Sequence, residues 1–108
     1  MRVAIIIVNW NGKRDTLQCL QSLSKETYTD KEIIIVDNGS TDGSVEAIKE
    51  AYPKCTILAE LTNIGFAAGN NKGIEEAFHR GADAVILLNN DTTVAADLIS
   101  SFLSLIHI

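Results

Sequence analysis

Four short runs along the chain are rich in β-branched residues: Val3–Val8, Glu32–Asp37, Cys55–Ala59 and Ala84–Leu88. Ala4-Ile5-Ile6-Ile7-Val8 and Ile33-Ile34-Ile35-Val36 are apolar without a break. A half-exposed strand would alternate, so these strands are expected to be covered on both faces, as in parallel sheets. Between the runs the apolar spacing turns helical. Leu17, Leu20 and Leu23 share a stripe, as do Val45, Ile48 and Tyr52, then Ile74, Ala77 and Phe78, and last Leu98, Phe102 and Ile106. Thr41 or Asp42 is placed to cap the second helix and Gly81 to stop the third. The order β-α-β-α-β-α-β-α predicts an α/β fold, a mainly parallel sheet of about four strands wound with right-handed crossovers and helices on both faces.

Length and composition narrow this further. One domain spanning 1–108 is expected from 108 residues, of which 46% are hydrophobic and 21% charged. The net charge of −5 opposes general affinity for nucleic acid or anionic lipid, so no nucleic-acid partner is expected. Cys19 and Cys55 have neither the number nor the spacing of a disulfide framework or zinc site, and a reduced, cytoplasmic setting is the default. The six-residue apolar run at the N-terminus is too short for a signal peptide, and no stretch approaches the ~20 apolar residues of a membrane span. The final helix approaches Ile108 without a cap, and a four-stranded sheet has edges to cover. Either another chain covers them or the sequence is the front part of a longer one.

In wound α/β sheets, ligands bind beyond the carboxyl ends of the strands. Asn9-Trp10-Asn11-Gly12 follows the first strand, and Asp37-Asn38-Gly39-Ser40-Thr41-Asp42-Gly43-Ser44 the second. Asn63-Ile64-Gly65-Phe66 follows the third and Asn89-Asn90-Asp91-Thr92-Thr93 the fourth. Four polar exits on one rim predict a pocket. The carboxylate of Asp37 can accept hydrogen bonds from a base or ribose, although its segment is also ordinary turn chemistry. Gly65, Gly69 and Gly73 recur every four residues and permit close approach to a sheet or ligand. They form neither a dinucleotide fingerprint nor a Walker loop. Lys72 can reach a phosphate or stand as a solvated helix lysine. Asp91 is the strongest candidate for chemistry, since Mg²⁺ or Mn²⁺ is often held by one or two carboxylates plus substrate phosphates. It also suits a cap for the last helix. Trp10 can stack on a base or sugar, but a lone aromatic is more commonly packed inside. His79 reads as a surface residue, and His107 carries no signal.

Together the four exits resemble the N-terminal half of family 2 glycosyltransferases of the GT-A fold, in particular the rhamnosyltransferase-like branch. The matching pieces are Val8–Gly12, Val36–Ser44, Asn63–Gly73 and Leu87–Thr92. The resemblance implies a three-layer, Rossmann-like domain that takes a nucleotide-sugar donor. It assigns Asn9, Asn11, Asp37, Asn63, Gly65, Asn70, Lys72 and Asn89 to the nucleotide side, and Asp91 to the divalent cation. The family's Asp-x-Asp reads Asn89-Asn90-Asp91 here, so the first carboxylate is missing. The implied reaction displaces the nucleoside diphosphate with inversion, using a carboxylate base that lies well after the metal motif. The chain ends at residue 108, 17 residues after Asp91 (108 − 91). A donor-binding half without that base is therefore expected, truncated relative to the family, with catalytic residues unknown. The full-length enzyme would take a saccharide or lipid-linked acceptor in cell-wall or polysaccharide biosynthesis, peripheral to a membrane. The competing expectation is a non-catalytic interaction module that dimerises through an exposed sheet edge or its last helix. A receiver-like domain lacks its acidic pair after the first strand, and a nucleotidyltransferase lacks its basic glycine-rich loop.

Overall fold

The structure is a computed structural model, and it describes residues 1–104. The elements run β1 (Val3–Asn9), α1 (Lys13–Leu23), β2 (Lys31–Asp37), α2 (Ser44–Ala51), β3 (Thr56–Ala59), α3 (Phe66–His79), β4 (Ala84–Leu88) and α4 (Leu98–Ser104). The alternation expected from the sequence is observed, with strand ends shifted by a residue. The four strands form one parallel sheet in the order β3-β2-β1-β4. The chain steps outward from β1 to β3, then crosses back to place β4 on the other side of β1. The strand order therefore reverses beside β1, where wound sheets open a crevice.

The unbroken apolar strands are covered on both sides. Val3, Ile5, Ile7 and Ile35 pack with Cys19, Leu20 and Leu23 of α1, Ile48 of α2 and Ile99 of α4. Ala4, Ile6 and Ile34 pack on the opposite face with Ala77 of α3. Period-two alternation thus sends odd positions of β1 toward α1, α2 and α4, and even positions toward α3. The result is three layers.

The helix ends refine the capping expectations. Asp42 is not itself the N-cap of α2: Gly43 holds that place in a left-handed conformation. Asp42 nevertheless serves two helices, accepting the first N–H of α2 from Ser44 and the first of α1 from Lys13. The hydroxyl of Ser44 also donates to it, and chiefly this bond holds the Asp42 carboxyl below its ordinary range. Gly81 does stop α3. With φ at +90° it lets Ala82 N donate to Ala77 O and Gly81 N to Phe78 O, the paired bonds of a Schellman close. Asp91 caps no helix, because α4 begins only at Leu98. The positions Ile106 and His107 considered in the sequence lie outside the described residues.

Candidate functional site

Because all strands are parallel, their four exits meet on one edge of the sheet. Asn9 stands opposite Asp37 in register, and Asp37 opposite Ala59. A cleft of about 360 Å³ opens at this edge, lined by Val8, Trp10, Asn38, Asn63, Phe66, Asn89, Asn90 and Asp91. It gathers the exits of β1, β2 and β4 and the loop before α3. Its charged group is Asp91, which is solvent-exposed; its other polar groups are carboxamides. Trp10 and Phe66 present aromatic surface there, 56% and 60% exposed. Packing inside, the commoner fate of a lone tryptophan, is not what Trp10 does.

Beneath the cleft runs a buried polar network. Asp37 is only 2% exposed. Its Oδ1 accepts from Asn9 Nδ2 at 2.8 Å and Ser40 Oγ at 2.7 Å, and its Oδ2 from Ser40 N at 2.9 Å. Three of its roughly four lone-pair sites are so filled. Asn9 is fully buried, and its Oδ1 accepts from Thr16 Oγ1 at 2.6 Å. Asn11, with φ at +49°, ties its loop to the next: its Oδ1 accepts from Thr41 N at 2.7 Å. A left-handed asparagine of this kind is tolerated because its short polar side chain bonds locally.

The remaining predicted residues divide. Asn63 lies in the cleft and accepts from Gly65 N at 2.8 Å, a local turn that sets up the start of α3. Gly65 is the N-cap of α3 with φ at +92°. Asn70 is buried on α3. Lys72 stands apart, with Nζ 2.5 Å from Glu60 Oε1 in a second groove of about 650 Å³ beside β3. His79 lines that same groove and is exposed. The sequence reading passed over Asn38, which is 2% exposed in the cleft wall. Its Nδ2 donates to Gly65 O at 3.2 Å, while its Oδ1 is buried without a hydrogen-bond partner. An apolar strand that ends in two consecutive polar residues, Asp37-Asn38, was the available signal. Phe66 was also passed over, because an aromatic opening a helical pattern reads as core.

Among the described residues no three His, Cys, Asp or Glu side chains cluster to hold a metal ion. A divalent cation fits here only as Mg²⁺ typically sits, on one carboxylate with substrate phosphates completing the shell. Asp91, exposed in a cleft of oxygen-bearing amides, meets that requirement.

Comparison with known proteins agrees with this geometry. The model of the family described as "Glycosyl transferase family 2" matches residues 4–107. The chain belongs to this family. A relative in Escherichia coli K12, the uncharacterized glycosyltransferase YibD, is 40% identical over 79 residues, covering 70% of this chain and 23% of that protein. The N-acetylglucosaminyl-diphospho-decaprenol L-rhamnosyltransferase of Mycobacterium tuberculosis is 34% identical over 80 residues, covering 74% and 26%. Among solved structures, the mannosyltransferase PcManGT of Pyrobaculum calidifontis, in complex with GDP-Man and Mn²⁺, superposes with a TM-score of 0.74 at 25% identity, over 83% of this chain and 27% of that one. Staphylococcus aureus TarS 1–349 shares the fold, with a TM-score of 0.80 at 19% identity over 96% and 32%. The chain spans about a quarter of the length of these two curated relatives, 23% and 26%. Among the described residues no helix is long and apolar enough to cross a membrane.

Proposed function

We propose that the chain is the donor-binding half of an inverting glycosyltransferase, one that takes a nucleoside-diphosphate sugar with Mg²⁺ or Mn²⁺. The observation that carries this reading is the cleft at the β1–β4 switch, where Asp91 stands among carboxamides and two exposed aromatics. A cation held there supplies Lewis-acid stabilisation of charge on the departing diphosphate. Asp91 would bind it through one carboxylate, with the phosphates compensating for Asn89 at the position of the missing first acid. The ring of Trp10 offers a stacking face to the base or sugar. The amides of Asn63 and Asn89 offer donors to phosphate and ribose oxygens. Asn9, Asn11 and Asp37 hold the two loops below, and Gly65 opens α3 beside them. The GDP-Man and Mn²⁺ bound in the PcManGT structure support the donor class and the metal. The named substrate of the mycobacterial relative, a diphospho-decaprenol saccharide, supports a lipid-linked acceptor. A general base for the acceptor hydroxyl would come from a segment beyond this chain.

Calorimetry with UDP, dTDP and GDP, each with and without Mn²⁺, tests the reading. Binding of at least one nucleotide that requires the metal, and its loss in Asp91→Asn, is expected. A folded chain that binds none of the three contradicts it.

A further inference from the structure

Asn90 sits between two cleft residues, Asn89 and Asp91, yet its amide is turned inward. Its Nδ2 donates to Thr16 Oγ1 at 3.2 Å across 74 residues of sequence. Thr16 lies on the buried face of α1 among Cys19, Leu20 and Leu23, where an apolar side chain would be the default. It is fully buried, and its hydroxyl is used twice: it accepts from Asn90 and donates to Asn9 Oδ1 at 2.6 Å. Asn9 in turn donates to Asp37. Donation runs one way along Asn90, Thr16 and Asn9 toward the Asp37 carboxylate. Each bond therefore polarises the next in the same sense. Gly12 guards the same spot from the other side. A Cβ there would lie 2.5 Å from Asn90 Nδ2 and 3.1 Å from Asn9 Oδ1. The φ of Gly12 is −114°, so its backbone does not require glycine. The space it leaves is what the Asn90 amide occupies.

We infer that Thr16 and Gly12 are positioning residues that fix the Asp91 loop through Asn90, and so set how tightly the diphosphate–metal end of the cleft binds. This rests on the donor-site reading above. Neither residue touches the ligand. Groups hydrogen-bonded directly to a metal ligand typically govern metal affinity by about 10–100-fold; Thr16 and Gly12 act one residue further out, through Asn90, so the lower end of that range is expected. Thr16→Val keeps the shape and removes the hydroxyl. Gly12→Ala displaces only the end of one side chain at its closest contact, so the fold is expected to survive it.

The test adds Mn²⁺ together with an equal amount of whichever of UDP, dTDP or GDP binds to the 108-residue chain, and follows the protein-bound Mn²⁺ by electron paramagnetic resonance. Thr16→Val and Gly12→Ala should each raise the half-saturating Mn²⁺ by about tenfold, and Thr16→Ser, which restores the hydroxyl, should return it to near the wild-type value. A purely structural role would lower the thermal midpoint of Thr16→Val and leave the Mn²⁺ titration where it was. Should Thr16→Val fail to fold, Gly12→Ala decides alone. A wild-type chain that binds nucleotide and Mn²⁺, with both variants matching it, overturns this inference and spares the donor-site reading. A folded wild-type chain that binds neither overturns both.

Discussion

Gly73 lies on α3 over the centre of the sheet, and a Cβ on it would come within 2.4 Å of Ile6 Cγ2. Ile6 is fully buried and cannot retreat. Gly73→Ala is expected to lose about 1–3 kcal/mol of stability, the usual penalty for overpacking a tight core, read from the urea midpoint. Gly69→Ala meets Val8 at 3.2 Å and Asn38 Nδ2 at 3.4 Å, so a smaller loss is expected there. The four-residue glycine spacing was legible as a close approach, and Gly69 and Gly73 make it. Gly65 does not, since it precedes the helix with a positive φ, and periodicity alone cannot mark where the helix starts. The thiols give a second prediction at this scale. Burial, aided at Cys19 by the charge of Asp91, pushes Cys19 from 9.0 up to about 11, and burial does the same at Cys55. An acid whose folded pKa is raised keeps its proton while the unfolded chain loses it, so stability should fall as pH rises from about 9 to about 11. Both thiols should also resist alkylation near pH 8 until the chain unfolds, which a timed iodoacetamide reaction with and without urea checks.

The stretch from Asn90 to α4 is held by bonds that no local pattern announces. Val94 N donates to Ser22 Oγ at 3.1 Å, and Thr27 N to Ala96 O at 2.8 Å. The Glu26 carboxylate, 5% exposed, accepts the Ile99 N–H at 2.7 Å and the Tyr28 N–H. Glu26 thus supplies the cap at the start of α4 from 73 residues away. A reading of neighbours in sequence assigned that cap to Asp91, and left Glu26 as an unremarked loop residue. Local spacing reveals strands such as Ala4–Val8 because apolar content is a property of the segment itself. It does not reveal a cap that the tertiary fold delivers. Glu26→Ala leaves two backbone donors without their acceptor, at a cost of about 1–3 kcal/mol. Hydrogen exchange should accelerate at Ile99 while the amides of β1 stay protected.

At the scale of the molecule, one parallel sheet brings every strand exit to the same edge, and the return crossover opens the crevice between β1 and β4. The common edge was legible, because alternating strands and helices imply a parallel sheet; the return of β4 to the far side of β1 was not, since alternation leaves the strand order open. Membership of the cleft was legible only in part. Asn63, Asn89 and Asp91 reach it, whereas Lys72 pairs with Glu60 in the groove beside β3. Which side of a sheet edge a helix residue overlooks depends on how α3 crosses, and spacing along the helix does not encode that. The central claim is that the β1–β4 cleft holds the metal-bound diphosphate. The most direct measurement is paramagnetic line broadening of backbone amides in the isotopically labelled chain, with Mn²⁺ added in the presence of UDP, dTDP or GDP. Signals of Asn89, Asn90, Asp91 and the Asn63–Phe66 loop should broaden first, while those around Lys72 and His79 remain sharp. Broadening centred on the β3 groove, with the Asp91 loop untouched, would contradict the account.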